Sequence, residues 1–265
     1  MDAIVRSIME FYRRVKYRRY GWFGNYASWQ EAQQKCTGYD NKRILEKIEN
    51  AALKVKNGEA VYERDGVLYD KAEYSWPLLS HLLWIAQQRG NRLSVMDFGG
   101  SLGSTYFQNL RYLKNLSTFN WSIVEQTEFI KTGREKIAGD QLQFFFNIDD
   151  ATAARGEHDV LLISCVLPYL EKPYDFLAGI ADKNFPYIII ENTYFNPEAG
   201  DRLTIQEVPP YYYEASYPAW FLDYSKVKAA LQYRYQLVEE YTNDQYLYFY
   251  GKKVDYRGFV MKLMR

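Results

Sequence analysis

The sequence predicts an α/β fold built on a mostly parallel sheet that helices cover on both faces. After residue 93, short apolar, β-prone runs alternate with helix-compatible runs. Such alternation is typical of βαβ units in a parallel sheet. The stretch 93–104 also has the order strand, glycine turn and helix start. Residues 1–92 lack this alternation, so we expect 1–92 to form a helical appendage or lid and 93–265 to form the sheet domain.

Helical signals dominate the predicted appendage. Ser28 and Glu31 have the spacing of a capping box, and an apolar stripe over 44–55 predicts a second helix. A third helix is expected over 77–88. The intervening stretch 58–74 is dense in charges and tyrosines and leads through this helix towards the first strand of the sheet domain.

The predicted elements of the sheet domain follow from the same patterns. The expected strands are 93–96, 121–125, 142–146, 159–166, 187–190, 235–241, 246–250 and 259–263, with an antiparallel pair at the end. The expected helices are 104–116, 127–138, 174–182 and 225–233. The segment 196–222 is too long for a simple connection, and we expect either a functional loop or a loop that only covers the domain.

Composition narrows the class of protein. The 265 residues carry 33 basic and 33 acidic side chains, so the balanced charge does not predict a nucleic-acid partner. Two distant cysteines suggest a reducing cytoplasm. No apolar run reaches the roughly 18 residues of a membrane span. Residues 1–20 combine apolar and basic side chains, which fits a peripheral membrane helix or, as we favour, a helix packed on the domain. No metal-ligand spacing is present, and the oligomeric state stays open.

The glycine turn after the first strand discriminates between ligand classes. Its residues follow the pattern D-x-G-x-S-x-G from Asp97 to Gly103. A phosphate-binding P-loop would require a Lys and a Ser or Thr after the last glycine, and neither is in place. A dinucleotide fingerprint would require glycine where Ser101 and Ser104 stand. A nicotinamide-dependent sugar oxidoreductase or epimerase and a non-catalytic nucleotide-binding module therefore remain as alternatives.

The turn resembles the first motif of class I S-adenosylmethionine-dependent methyltransferases, with Ser101 in place of the middle glycine. The chain more closely resembles the methyltransferases of bacterial surface-polysaccharide (O-antigen and capsule) gene clusters. The stretches that carry this resemblance are 58–65, 74–79, 93–107, 123–126 and 202–220. It implies a Rossmann-like, mostly parallel seven-stranded sheet and methyl transfer from S-adenosyl-L-methionine to a sugar or glycan-related small acceptor.

The expected cofactor contacts lie mainly at strand ends. Glu125 ends the second strand, where an acid can accept hydrogen bonds from both ribose hydroxyls. In the methyltransferase pattern an acid after the third strand reaches the adenine amino group, and Asp149 or Asp150 could serve. Tyr62 and Arg64 are expected to fold over the same cleft. The full expected set is Asp97, Gly99, Gly100, Ser101, Gly103, Glu125, Gln126, Asp149, Asp150, Ser164, Tyr62 and Arg64.

The acceptor side is predicted by position alone. Glu191, Glu207 and Tyr169 are candidates for a catalytic base, because they follow strands or lie in the long segment 196–222. Aromatic faces with a carboxylate suit a sugar or another planar acceptor. The expected substrate-binding residues are Tyr194, Tyr211, Tyr213, Tyr217 and Trp220.

Overall fold

The computed structural model describes residues 19–39 and 41–264, so the predicted basic helix in 1–20 lies almost entirely outside the described residues. The strands are β1 (Gly21–Phe23), β2 (Gly38–Tyr39), β3 (Tyr62–Arg64), β4 (Val67–Tyr69), β5 (Arg92–Phe98), β6 (Thr118–Val124), β7 (Leu142–Phe145), β8 (Val160–Ser164), β9 (Tyr187–Thr193), β10 (Arg202–Glu207), β11 (Ala215–Phe221), β12 (Tyr235–Phe249) and β13 (Lys252–Leu263). The helices are α1 (Trp29–Lys35), α2 (Asn41–Lys56), α3 (Trp76–Gln88), α4 (Ser104–Leu113), α5 (Thr127–Thr132), α6 (Ile148–Arg155), α7 (Pro173–Ala181) and α8 (Tyr224–Gln232).

Seven strands form the central sheet in the order β12-β13-β9-β8-β5-β6-β7. The pairs β5–β6, β5–β8, β6–β7 and β8–β9 are parallel, and β13 pairs antiparallel with both β9 and β12. The predicted mostly parallel seven-stranded sheet is therefore confirmed. Strand order reverses between β5 and β8, and ligands of open α/β sheets bind at such a switch point.

Two apolar cores cover the sheet, one on each face. Strand alternation directs Val95 into the core shared with α2, α3 and α4, and Met96 into the core shared with α6, α7 and α8. Local signals begin the helices: Ser75 caps α3, Asn147 caps α6 and Asp223 caps α8 through side-chain oxygens. None of the described helices combines the length and apolarity that a membrane span requires.

A second sheet joins the two halves of the chain. Strands β10 and β11 form an antiparallel pair, with β1 added at one edge and β2 at the other, in the order β1-β10-β11-β2. The segment 196–222 is thus an ordered strand pair, and the prediction of a loop there was wrong. The described part of residues 1–92 contains the short strands β1 to β4 beside the helices α1, α2 and α3, and its role as a separate appendage or lid stays a prediction.

Smaller differences concern element limits. The helix α6 was not predicted, because its short sequence I-D-D-A-T-A-A-R has little amphipathic pattern. The two strands expected over 235–250 are one strand, β12, with a register shift between Thr242 and Tyr246. The helix expected over 127–138 is α5 followed by a π-helical turn (Gly133–Ile137). These limits depend on pairing partners that local sequence does not show.

Candidate functional site

The glycine turn after β5 lies at the carboxyl edge of the sheet, beside the switch point. Gly99, Ser101 and Gly103 adopt positive φ angles of 74°, 52° and 96°. The Gly99 amide donates to the Val124 carbonyl of β6 at 2.8 Å, and the Gly103 amide donates to Gly100 at 3.0 Å. The turn is therefore held by the neighbouring strand and by its own backbone.

Two glycines of this turn are required by close packing. A Cβ on Gly99 would lie 2.4 Å from Val166 Cγ2, and a Cβ on Gly100 would lie 2.5 Å from Asp97 Oδ2. Any side chain at either position would displace its neighbour. Gly103 then begins α4 and offers no capping side chain. The first-turn N–H groups of α4 consequently face the turn without a side-chain cap, an arrangement that favours a polar or anionic ligand group.

Asp97 lies beneath the turn. It is 1% exposed, and its Oδ2 accepts the indole N–H of Trp121 at 3.0 Å. Burial raises the pKa of Asp97 to about 7, the Trp121 hydrogen bond opposes this shift, and the nearby Glu125 charge adds to it. The position of Asp97 against Gly100 indicates that its side chain supports the turn. A direct contact of Asp97 with a cofactor stays a prediction.

Glu125 follows β6 directly and reaches the turn from the next strand. Burial raises the pKa of this half-buried carboxylate, while hydrogen bonds from the amides of Gln126 and Ser101 lower it. The Gln126 amide donates to Glu125 Oε2 at 2.5 Å, and the Gln126 side chain is exposed at the start of α5. Sequence reasoning thus placed Glu125 correctly beside the turn, and its role in binding stays a prediction.

Asp149 and Asp150 make contacts around the start of α6. The Asp149 side chain is 80% exposed and pairs with Lys183 at 2.6 Å. The Asp150 carboxylate accepts from Asn147, whose own side chain caps α6. Both carboxylates are thus engaged in capping and in a surface ion pair, and an adenine contact by either of them stays a prediction that these contacts do not favour.

The strands β3 and β4 form the N-terminal hairpin (residues 62–69), which packs against the start of α4. Glu63 is 1% exposed and accepts hydrogen bonds from the Ser104 hydroxyl and from the Gly66 amide. Tyr62 is 4% exposed, and its side chain is hydrogen-bonded to Arg64. The hairpin therefore lies on the same side of the sheet as the glycine turn, where the sequence placed it.

Arg64 reaches the end of β8 from this hairpin. Burial alone would lower the pKa of its guanidinium, but Tyr62, Asp65 and Cys165 raise it, and the net pKa lies above its ordinary value. Arg64 also lies close enough to Glu191 to lower the pKa of that carboxyl. A permanent positive charge consequently lies at the carboxyl edge of the sheet.

A tyrosine cluster (Tyr169, Tyr194, Tyr217 and Tyr256) surrounds Cys165 after β8. Tyr169 and Tyr217 meet edge to face at 5.5 Å, and Tyr194 and Tyr256 do so at 5.6 Å. Burial raises the pKa of Cys165 to about 11, so its thiol stays protonated near neutral pH. Ser164, the last residue of β8, is half-buried immediately before this cluster.

Tyr169 and Glu191 are poorly suited to the catalytic roles predicted for them. The Tyr169 hydroxyl donates to Gln206 Oε1 at 2.9 Å, and burial raises its pKa well above the ordinary range. Glu191 is 2% exposed and accepts from the Tyr241 hydroxyl and from Asn243 Nδ2. Gly258 makes this possible, because the Tyr241 ring crosses β13 where any Cβ would lie 2.5 Å from ring atoms.

Two further predicted residues point away from the cluster. Along β10 and β11 alternate side chains face opposite sides. Tyr217 faces Tyr169, whereas Trp220 stacks on Trp29 of α1 with ring centroids 6.5 Å apart. Glu207 lies near Cys36 on the α1 side. Partial burial raises the pKa of the Cys36 thiol, and the charge of Glu207 raises it further. Glu207 and Trp220 therefore lie on the opposite face of the second sheet from Tyr169, and their place on the acceptor side stays a prediction that this geometry does not favour.

The remaining predicted tyrosines lie at the connection between β10 and β11. Tyr211 is 62% exposed, and its carbonyl oxygen accepts from Lys47 Nζ at 2.9 Å. Tyr213 is half-buried and is hydrogen-bonded to Tyr217 of the cluster. Tyr69 of the N-terminal hairpin is hydrogen-bonded to Tyr212. The hairpin and the segment 196–222 are therefore in contact with each other, beside the tyrosine cluster.

Sequence reasoning missed three residues of this region. Gln206 precedes the predicted Glu207 and is the residue that contacts Tyr169. Tyr256 belongs to the cluster through its ring contact with Tyr194, and the negative charge of Asp65 contributes to the raised pKa of Cys165. Strand alternation could have suggested Gln206 if β10 had been predicted as a strand, because adjacent residues of a strand cannot share a face.

Left-handed backbone also occurs at three non-glycine residues along this edge of the sheet. Besides Ser101, the residues Cys165 and Asn192 adopt left-handed φ angles of 56° and 47° directly after β8 and near the end of β9. Residues other than glycine rarely adopt such conformations, and those that do cluster at functional sites. Across the described residues, no group of His, Cys, Asp and Glu could hold a metal ion.

Comparison with known proteins identifies the fold. No model of a protein family matches the chain, and no curated protein matches it. Among solved structures, a Listeria monocytogenes protein described as a candidate S-adenosylmethionine-dependent methyltransferase aligns with a TM-score of 0.50 at 11% identity, covering 72% of this chain and 98% of that one.

Two further structures align over more of the chain. The N-terminal domain of EvdMO1, crystallised in the presence of SAH and D-fucose, gives 15% identity and a TM-score of 0.48, covering 86% of this chain and 98% of that one. The Burkholderia thailandensis 1,6-didemethyltoxoflavin-N1-methyltransferase was crystallised with 1,6-didemethyltoxoflavin and S-adenosylhomocysteine bound. It aligns at 13% identity with a TM-score of 0.46, covering 92% of this chain and 94% of that one. At such low identity the likeness establishes the fold alone, and the chain has the Rossmann-like class I methyltransferase fold.

Proposed function

We propose that this chain is an S-adenosyl-L-methionine-dependent methyltransferase. The observation that carries the proposal is the convergence of three features beside the switch point of this sheet. They are the strained glycine turn, the uncapped start of α4 and the Glu125 carboxylate, which accepts the Ser101 amide of the turn. Together they provide backbone donors and one carboxylate side by side, which is the set that a nucleoside with an amino-acid tail requires.

The residues present fit this cofactor. Glu125 would hold the ribose hydroxyls, and the backbone of the glycine turn with the start of α4 would hold the polar groups of the methionine portion. Arg64 of the N-terminal hairpin would bind the cofactor carboxylate, since it carries a permanent charge at this edge. When bound, the cofactor supplies an electrophilic methyl group on a sulfonium. The protein's own contribution is alignment of the acceptor and exclusion of water.

We further propose that residues 1–92 act as a lid on the 93–265 domain, and that the acceptor is a small sugar or glycan-related molecule of surface-polysaccharide synthesis. Two contacts with the segment 196–222 support a lid: the N-terminal hairpin reaches it through the hydrogen bond between Tyr69 and Tyr212, and α2 reaches it through Lys47, which donates to the Tyr211 carbonyl. The tyrosine cluster supports a hydroxylated ring as acceptor. Both cysteines are free, which fits the proposed cytoplasmic location.

Thermal unfolding with candidate cofactors tests the proposal. S-adenosylhomocysteine at about 100 times its Kd should stabilise the native state by about 2.7 kcal/mol, which corresponds to several degrees in Tm. NAD+ serves as the comparison ligand. A shift with NAD+ alone would favour the oxidoreductase alternative. The absence of a shift with S-adenosylmethionine, S-adenosylhomocysteine and NAD+ would leave a non-catalytic module as the better description.

A further inference from the structure

The N-terminal hairpin is attached to the chain directly after the glycine turn. Glu63 accepts hydrogen bonds from the Ser104 hydroxyl at the start of α4 and, at 3.2 Å, from the Gly66 amide. The turn of the hairpin packs on α2, where a Cβ on Gly66 would lie 3.0 Å from Lys47 Cγ and 3.2 Å from the Ile48 amide. The hairpin therefore connects one end of the glycine turn to α2.

Lys47 continues this series of contacts from α2 to the β10–β11 connection (residues 208–214). Its ammonium donates to the carbonyl oxygen of Tyr211 at 2.9 Å and to that of Tyr212. Hydrogen bonds from a charged donor are stronger than those between neutral groups. One side chain therefore holds two successive peptide units of the connection against α2.

The backbone of the β10–β11 connection has few hydrogen bonds of its own. Pro209 and Pro210 have no N–H, and the Tyr212 amide donates to the Pro209 carbonyl at 2.9 Å within the connection itself. The Tyr211 side chain is 62% exposed. The strands on either side pair with each other along their length. Loss of the Lys47 hydrogen bonds would therefore release the connection while β10 and β11 stay paired.

The β10–β11 connection leads back to the glycine turn through the tyrosine cluster. It runs directly into β11, where the Tyr217 ring meets the Tyr169 ring edge to face at 5.5 Å. Tyr169 ends the short 3-10 turn that follows Val166. A Cβ on Gly99 would lie 2.4 Å from Val166 Cγ2. The hairpin, α2, the connection and the cluster thus form a closed ring of contacts that begins and ends at the glycine turn.

Lys47 is the link of this ring that can open at low cost. Its side chain is half-buried, so water can replace the two carbonyls at its ammonium. Glu63 is 1% exposed, and its separation from Ser104 would deprive a buried carboxylate of a hydrogen bond. The ring should consequently open between α2 and the β10–β11 connection before it opens between the hairpin and α4.

We propose that Lys47 is a positioning residue that closes this ring around a ligand held by the glycine turn, an inference that rests on the proposed cofactor site. When its two hydrogen bonds break, the β10–β11 connection moves away from α2 and the ligand enters or leaves. When they form, the connection keeps water away from the reacting groups and slows ligand release.

The variant Lys47→Met tests this assignment, because methionine keeps an unbranched apolar stem and donates no hydrogen bond. Lys56→Met is the matched control. It removes an ammonium of the same helix that donates at 2.7 Å to the Lys136 carbonyl, outside the ring. Lys47→Arg retains a charged donor. Hydrogen exchange read by mass spectrometry measures opening of 208–214 without ligand. Surface plasmon resonance measures the association and dissociation rates of S-adenosylhomocysteine.

We expect the amides of 208–214 to exchange about tenfold faster or more in Lys47→Met than in wild type, since the loss of a charge-assisted hydrogen bond shifts an equilibrium by about this factor. S-adenosylhomocysteine should dissociate faster by a similar factor. Lys56→Met should match wild type in both measurements. Lys47→Arg should lie closer to wild type than Lys47→Met does.

Three results would overturn the proposal. Wild-type exchange of 208–214 in Lys47→Met would show that Lys47 does not hold the connection. Faster exchange with unchanged ligand rates would show that the connection does not control access. Equally faster exchange in β5 and β6 would make Lys47 a residue of general stability. A wild type that does not bind S-adenosylhomocysteine would refute the proposed function, whereas the exchange data would still decide whether Lys47 holds the connection.

Discussion

Replacement of Glu125 is the sharpest test of how the candidate cofactor site works. Its carboxylate has about four acceptor positions, and the Ser101 and Gln126 amides take two of them. Two positions remain for the two ribose hydroxyls. Each hydrogen bond to a charged group contributes about 1.5–3 kcal/mol, so Glu125→Ala should weaken S-adenosylhomocysteine binding by at least about 3 kcal/mol, which is roughly 150-fold in Kd.

Isothermal titration calorimetry with S-adenosylhomocysteine measures this effect, and thermal unfolding checks that the variant is folded. Glu128→Ala is the matched control, because Glu128 lies three residues further along and makes a surface ion pair with Lys131. Such an exposed pair contributes little to stability. The control should bind the ligand as wild type does. Glu125→Gln, which keeps one carbonyl acceptor, should fall between Glu125→Ala and wild type.

Two results would refute this reasoning. If Glu125→Ala bound S-adenosylhomocysteine with wild-type affinity, the carboxylate would not contact the ribose. If the variant failed to fold while Glu125→Gln folded and bound normally, Glu125 would serve only to hold the Ser101 and Gln126 amides.

Three further predictions concern the structure around the site. Burial raises the pKa of Asp97 to about 7 from about 3.9 in an unfolded chain, so the free energy of unfolding should fall as pH rises from about 4 to about 7. The variant Asp97→Asn still accepts the hydrogen bond from Trp121 but does not titrate, so urea unfolding at several pH values should show a flatter dependence than in wild type. Gly258→Ala should destabilise the fold by about 1–3 kcal/mol, because its Cβ would meet the Tyr241 ring, and an unchanged urea midpoint would contradict that packing. Ser101→Gly should raise Tm slightly by relieving the left-handed conformation, whereas a lower Tm would show that the hydroxyl supports the turn.

The parts of the fold that could be predicted are those set by local sequence. Apolar runs and their spacing predicted the five parallel strands of the central sheet, β5 to β9, within a few residues, because side-chain period and burial leave a direct mark on the sequence. The glycine turn was equally visible, since left-handed angles at Gly99 and Gly103 and close packing at Gly99 and Gly100 restrict the residue type. Glu125 followed from its place at the end of a predicted strand.

The acceptor side could not be predicted in the same way. The segment 196–222 contains two strands, β10 and β11, whose pairing with β1 and β2 depends on residues about 180 positions away. Without that pairing, nothing distinguished Gln206, which contacts Tyr169, from its neighbour Glu207, which faces α1.

The sequence by itself therefore determined the sheet, the glycine turn and the acid beside it, because each depends on short-range periodicity and backbone sterics. Only the tertiary structure decided which side chains face the tyrosine cluster. That choice depends on strand register and on the N-terminal hairpin, whose Glu63 accepts a hydrogen bond from Ser104 at the start of α4. Contacts of this range arise from packing between elements, and no local pattern records them.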